Sequence, residues 1–220
     1  VVAPGTFVIS ARSTQWDQLA YCNPTNGSGN YSEVLSNLNE TLGPFYRYES
    51  GTSLAAAEVS GTLALMQEFF QSLGRTNSPA LMKALLINGA RPLAAAAGLQ
   101  VHSSTNAQGW GLINLTNSLP VGLSNSFIQA PAPMQVFDQN PADALATGQS
   151  LTRFVSLSSA ATDQPLRVTL VWTDPPGNPA ASLKLVNNLD LVVTNLESGE
   201  VFFGNDLPPS GAFNQHWDPN

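Results

Sequence analysis

Apolar positions fall into two runs of helical length in the first half of the chain and into short alternations elsewhere. Residues 54–73 begin almost wholly small and apolar (Leu54, Ala55, Ala56, Ala57, Val59), the pattern of a helix buried inside a domain. Gly51 stands before it, where a residue without a Cβ permits a sharp turn, and Thr52 is the expected N-cap, leaving Ser53 free. Gly74 ends the run, and Ser78-Pro79 opens a second helix with Ser as cap and Pro at the first helical position. Leu81, Met82, Leu85 and Leu86 give that helix an apolar face, and Gly89 closes it. Upstream, Phe7-Val8-Ile9-Ser10-Ala11 alternates as a short strand, and Phe45-Tyr46-Arg47-Tyr48 reads as a second strand leading into the first helix. Between them residues 13–42 are polar, a loop long enough to be functional in its own right.

Beyond Leu119-Pro120 the helical period stops, apart from a turn near residues 142–146. Residues 166–172 and 189–193 alternate, bounded by Pro, Gly and Asn clusters, as strands of a β-sandwich do. The fold expectation is therefore an α/β portion over residues 1–121 followed by an all-β sandwich over residues 122–220.

Composition narrows this further. With 220 residues, 43% hydrophobic and only 10% charged, the chain can bury a core and does not read as disordered. Its net charge of −7 argues against nucleic acid or an anionic membrane surface as a partner. There is no apolar run of membrane-spanning length and no signal-peptide pattern. The lone Cys22 rules out an internal disulfide framework, and its Asn-Pro-Thr surroundings describe a thiol without a role. Few Lys, one Cys and many Asn, Ser and Thr fit a secreted enzyme. Asn26, Asn30, Asn39 and Asn114 head glycosylation sequons, which matter only in a eukaryotic secretory host.

A hydroxyl at the start of a buried helix either caps it or acts as a nucleophile stabilised by the same free amides. Gly51-Thr52-Ser53-Leu54-Ala55 resembles the serine motif of the subtilisin-like peptidases (subtilases), Gly-Thr-Ser-Met-Ala followed by a small residue and Pro. Val2-Ala3-Pro4-Gly5 resembles the strand-end motif before that segment, and Gln108-Gly109-Trp110-Gly111-Leu112-Ile113-Asn114 the segment that closes the family's catalytic domain, with Trp110 expected as a core plug. Ala57 stands where the family usually has Pro, and Glu58 where it often has a His outside the triad. In the second half, Val171-Trp172-Thr173-Asp174-Pro175-Pro176, Leu185-Val186-Asn187-Asn188-Leu189-Asp190-Leu191 and Gly204-Asn205-Asp206 are similar to the jelly-roll domain of one branch, the secreted alkaline serine proteases with a C-terminal β-barrel.

The resemblance implies that residues 1–121 are the C-terminal portion of a parallel-sheet α/β catalytic domain. It also implies a secreted serine endopeptidase with Ser53 as nucleophile, a polypeptide substrate, and the polar loop over residues 13–42 beside the primed side of the cleft. Subtilases place the triad in the order Asp, His, Ser. No His precedes Ser53 here and Asp17 belongs to the polar loop, so the base, the orienting Asp and the oxyanion Asn are expected upstream of Val1. The chain is accordingly expected to be cut at both ends and to partner the remainder of its own catalytic domain, with no nucleic acid and no membrane involved.

A second arrangement keeps the chain order as it stands. Gly51-Thr52-Ser53-Leu54-Ala55 is close to a nucleophile elbow, with Asp174 and His216 to follow as partners, but that fold needs βα repeats which the second half lacks. His102 and His216 then read as loop residues. Asp174, Asn188, Asp190, Asn205 and Asp206 are hard oxygen donors near strand ends, where either calcium or ordinary turn chemistry uses them. Family members bind calcium in this domain, so Asp174, Asp190 and Asp206 are the expected ligands of a structural ion, with no cofactor for catalysis. The alternative function is a non-catalytic fragment or pseudoenzyme whose β-sandwich binds polypeptide or calcium.

Overall fold

A computed structural model describes residues 1–15, 42, 44–91, 93, 108–120, 134–161 and 166–204. The chain divides into two compact units, Val1–Thr169 and Leu170–Asn220.

In the first unit, β1 (Val8–Ala11) pairs antiparallel with β2 (Tyr46–Glu49) in the register Val8↔Glu49 to Ala11↔Tyr46. Then come α1 (Thr52–Ser72), α2 (Pro79–Gly89) and the short α3 (Leu115–Ser118). Ahead of β1, Val2 makes a parallel bridge to Leu112, which is bridged antiparallel to Arg91. The Val2 amide donates to Gly111 O at 2.9 Å and the Ile113 amide to Val2 O at 3.1 Å. This one parallel contact is the part of the expected parallel sheet present among the described residues.

Helix α1 owes its place to a stripe at helical spacing, Val59, Leu63, Met66 and Phe70. Met66 and Phe70 are fully buried against Leu81, Leu85 and Leu86 of α2 and against Leu119. The helix ends in a Schellman motif: Gly74 at φ 68° sends its amide to Gln71 O at 2.9 Å, and the Arg75 amide reaches Phe70 O at 3.0 Å.

Helix α2 is held at both ends by chain that follows much later. At its start Ser78 Oγ accepts from the Leu81 amide at 3.0 Å, with Pro79 in the first helical position. The Asp138 carboxylate in turn accepts from the Ser78 amide at 2.8 Å and from its hydroxyl at 2.6 Å. At its end the Arg167 guanidinium donates to Asn88 O at 3.1 Å and to Ala90 O, while Asn88 Nδ2 donates to Thr169 Oγ1 at 2.9 Å. An acid at the helix N-terminus and a base at its C-terminus is the arrangement that the peptide dipoles favour. Met134 and Val136 also pack on the helical core. Segments on either side of residues 139–165 therefore sit with the helices, within the first compact unit. The boundary expected at residues 121–122 itself touches residues outside the described set.

In the second unit β3 (Val192–Thr194) and β4 (Val201–Phe203) form an antiparallel hairpin, Val193 facing Phe202. Gly199 at φ 75° closes its turn, donating to Asn195 O at 2.8 Å. The alternation over residues 189–193 thus yields a strand shifted toward its C-terminal end. Residues 166–172, also expected as a strand, find no ladder partner among the described residues and belong to no strand. Alternation makes a segment competent for a strand, but a neighbour must complete the ladder.

Two glycines in these helices give opposite expectations. A Cβ on Gly89 would fall 2.2 Å from Ser118 Oγ and 2.5 Å from Ser118 N, because α2 ends directly against α3. Gly89→Ala should cost roughly 1–3 kcal/mol by overpacking. A Cβ on Gly61, in the middle of α1, meets nothing within 4 Å, so Gly61→Ala should stabilise by about 0.4–1 kcal/mol. Urea unfolding of both variants checks the pair; equal shifts would show the α2–α3 contact to be wrong.

Candidate active site at the start of the long helix

The residue before α1 is Gly51, in extended backbone with φ 168° and ψ 155°, and no side chain caps the helix. Thr52 is the first helical residue rather than the cap, which corrects the role expected for it. Nor does Gly51 make a left-handed turn. Its carbonyl closes the first turn by accepting from the Leu54 amide at 3.1 Å and the Ala55 amide at 3.5 Å. Ser53 is therefore the second residue of the helix and solvent-exposed, its backbone amide among the first N–H groups that have no partner within a helix. Among the described residues its hydroxyl carries no hydrogen bond. A nucleophile that also offers an oxyanion donor needs this placement, at the positive end of the helix dipole.

The chain ahead of β1 is stitched onto this point. The Gly51 amide donates to Gly5 O at 2.7 Å, and the Phe7 amide donates to Ser50 Oγ at 2.8 Å. The glycine that the geometry requires is Gly5: a Cβ there would lie 2.8 Å from Gly51 O and 3.2 Å from Ala55 Cβ. Ala3, Gly5, Thr6, Ser50, Gly51, Thr52 and Ala55 line a hollow beside the helix start. On β2, Arg47 and Glu49 form a half-buried ion pair, and Glu49 Oε1 also accepts from the Ser50 amide at 3.2 Å. The segments Val2-Ala3-Pro4-Gly5 and Gly51-Thr52-Ser53, far apart in the chain, thus meet in one place.

The other expected residues fare differently. Trp110 is 47% exposed and does not plug the core. It sits between Gly109 and Gly111, whose φ values of 57° and 109° carry the chain through a tight reversal that leaves the indole outside. Asn114 uses its side chain to accept from the Asn117 amide at 3.0 Å and cap α3. Asp174 accepts from the Val186 amide at 2.7 Å, the Asn187 amide at 3.0 Å and Asn187 Nδ2 at 2.8 Å. These donors reach both carboxylate oxygens. Asp190 is exposed, and among the described residues there is no group of three or more His, Cys, Asp or Glu that could hold a metal. Asp17, Cys22, His102, Asn205, Asp206 and His216 lie outside the described residues.

Sequence reasoning missed Ser50 and Phe7, since no periodicity or motif marks a hydroxyl that bonds an amide across β1 and β2. It also missed Lys184, whose ammonium donates to Asn178 O at 3.2 Å, Pro179 O at 2.7 Å and Ala181 O. With Asp174 at its neck and Lys184 across its middle, the stretch over residues 174–187 is a closed loop.

The profile of the subtilase family (peptidase S8) matches residues 1–111. Among curated proteins, the serine protease/ABC transporter B family protein tagD of Dictyostelium discoideum is 30% identical over 93% of this chain and 13% of its own length. The similarly named tagA and tagB proteins of the same organism are 28% and 27% identical, over 93% and 98% of this chain and 11% and 13% of their own lengths. The chain therefore spans only about an eighth of the length of these relatives, 13% of the first. No solved structure matches. No helix among the described residues is long and apolar enough to cross a membrane.

The Asp174 bonds have a pH signature. The Val186 amide first, then the two groups of Asn187, hold the carboxyl below the ordinary aspartate range. A depressed folded-state pKa stabilises the loop above the unfolded value, and that contribution is lost as pH falls through the folded one. The Val186 and Asn187 amide shifts should titrate together, with a midpoint below that of an unstructured aspartate, and Asp174→Asn should abolish the step. A midpoint at or above the ordinary range would show that these bonds do not form.

Proposed function

The chain belongs to the subtilase family, and on that premise we propose that it carries the nucleophile of a serine endopeptidase, Ser53. The observation that supports this most directly is the exposed Ser53 hydroxyl at the second position of a 21-residue helix, beside the Gly5–Gly51 junction. In the reaction, Ser53 Oγ attacks the peptide carbonyl carbon while its proton passes to a histidine base. The Ser53 amide is one donor to the oxyanion of the tetrahedral intermediate. Collapse expels the amine, which takes the proton from the histidine, and water then hydrolyses the acyl-enzyme by the same route in reverse.

Because no His precedes Ser53 in this sequence, the proposal assigns the base, its orienting Asp and a second oxyanion donor to other parts of the whole protein. The relatives extend far beyond the stretch matched here, which is compatible with that assignment. The proposal includes a jelly-roll domain in the second half, a secreted location, and a structural calcium ion near Asp174, Asp190 and Asp206, motivated by the motif residues of that half. The alternative is a non-catalytic member that keeps the serine motif without the base, its second half binding polypeptide or calcium.

A fluorophosphonate probe separates the two. In the whole protein it should label Ser53, and Ser53→Ala should abolish labelling and lower peptide turnover by about 10⁶-fold, the scale known for loss of the triad serine in subtilisin rather than one derived from this chain. Thermal stability should hardly change, since the Ser53 side chain neither caps the helix nor bonds another described residue. Absence of labelling in the whole protein would favour the non-catalytic reading. For calcium, chelation should lower the unfolding midpoint of the whole protein, and Asp190→Ala should remove part of that response. The same response to chelator in both proteins would end the assignment of Asp190.

A further inference from the structure

Phe7 is the one non-glycine residue with positive φ among the described residues, at 52°. In that region a Cβ crowds the neighbouring carbonyl, and a bulky residue stays there only when its surroundings over-determine it. Burial of the ring is not what holds it, because Phe7 is 42% exposed. The holding contacts are polar and lie on both sides. The Phe7 amide donates to Ser50 Oγ at 2.8 Å, Gly5 O accepts from the Gly51 amide at 2.7 Å, and Val8 is already in register with Glu49. The turn through Gly5, Thr6 and Phe7 is thus pinned to the residues that directly precede Thr52 and Ser53.

Helix α1 has no side-chain cap, so the position of Gly51, whose carbonyl closes the first turn, depends on that pinned turn. We propose that Ser50 is a positioning residue for Ser53: its hydroxyl accepts the Phe7 amide, latches the turn in its left-handed conformation, and so fixes the direction in which Ser53 Oγ and its amide point. This rests on the reading of Ser53 as nucleophile. Without the acceptor, Phe7 relaxes to negative φ and carries the Gly5 carbonyl away from the Gly51 amide. The first turn of α1 then loses its anchor. Relief of the crowding at Phe7 should undo the effect, since glycine occupies the same φ without a Cβ to crowd.

The test uses the whole protein with Ser50→Ala, Ser50→Thr and the double variant Ser50→Ala with Phe7→Gly. Three quantities are read: the rate of fluorophosphonate labelling at Ser53, kcat and KM on a peptide substrate, and amide exchange at Phe7 and Gly51. Ser50→Ala should slow labelling roughly tenfold to a hundredfold, the range that an ångström-scale misplacement produces. The loss should fall on kcat with KM little changed, and exchange at both amides should quicken. Ser50→Thr, which keeps the hydroxyl, should recover most of the rate, and the double variant should recover much of what Ser50→Ala loses. A lowered melting temperature with an unchanged labelling rate would reduce Ser50 to a structural residue and overturn the proposal, as would failure of Phe7→Gly to restore the rate. If the unsubstituted protein does not label, the peptidase reading falls by itself. The latch is then judged on exchange, and unchanged protection at Phe7 in Ser50→Ala overturns it.

Discussion

The hydrogen bond from the Gly51 amide to the Gly5 carbonyl, 2.7 Å long, sets the geometry at the start of α1. It brings the chain ahead of β1 so close that a single Cβ on Gly5 would collide with Gly51 O. A helix without a side-chain cap has little local instruction about where to begin. Here the beginning is dictated from outside, by a turn tied to Ser50 and Gly51 and by the ladder between β1 and β2. The serine motif is therefore a tertiary feature as well as a sequence one.

Behind that point, burial and polar bonding divide the work by magnitude. Fully burying Met66 or Phe70 is worth about 1.5–3 kcal/mol each, whereas a typical hydrogen bond nets about 1 kcal/mol. The apolar stripe of α1 against Leu81, Leu85 and Leu86 is what holds the helix pair together. Asp138 and Arg167 act more selectively: each recognises one end of α2 by charge and by its free N–H or C=O groups. They choose which downstream segments lie on the helix pair.

The second unit is built on a different balance. Among its described residues none is fully buried, so polar closure does what a core does elsewhere. Asp174 gathers the amides of Val186 and Asn187, Lys184 bonds three carbonyls of its own loop, and Gly177 lies where a Cβ would strike Lys184 O at 2.2 Å. A two-stranded hairpin such as β3–β4 is marginal by itself. The loop over residues 174–187 is held by these bonds rather than by packing.

Local chemistry acts over a few residues, and what it specifies was legible in the sequence. The run expected at residues 54–73 is α1, Thr52–Ser72, the cap and proline at Ser78-Pro79 open α2, and the alternations near Val8 and Tyr46 are β1 and β2. The pairing of Gly51-Thr52-Ser53 with Val2-Ala3-Pro4-Gly5 also pointed to the family. What depends on atoms distant in the chain was not legible. That Gly5 rather than Gly51 is the glycine the fold requires follows from a backbone approach across the motif, and the left-handed Phe7 follows from a hydroxyl on the neighbouring strand end. Trp110 was expected inside because its ring is large and apolar, yet the conformations of Gly109 and Gly111 turn it out to solvent. Residues 166–172 alternate as a strand should but lack a described partner, because a ladder needs hydrogen-bonding groups that no strand carries for itself.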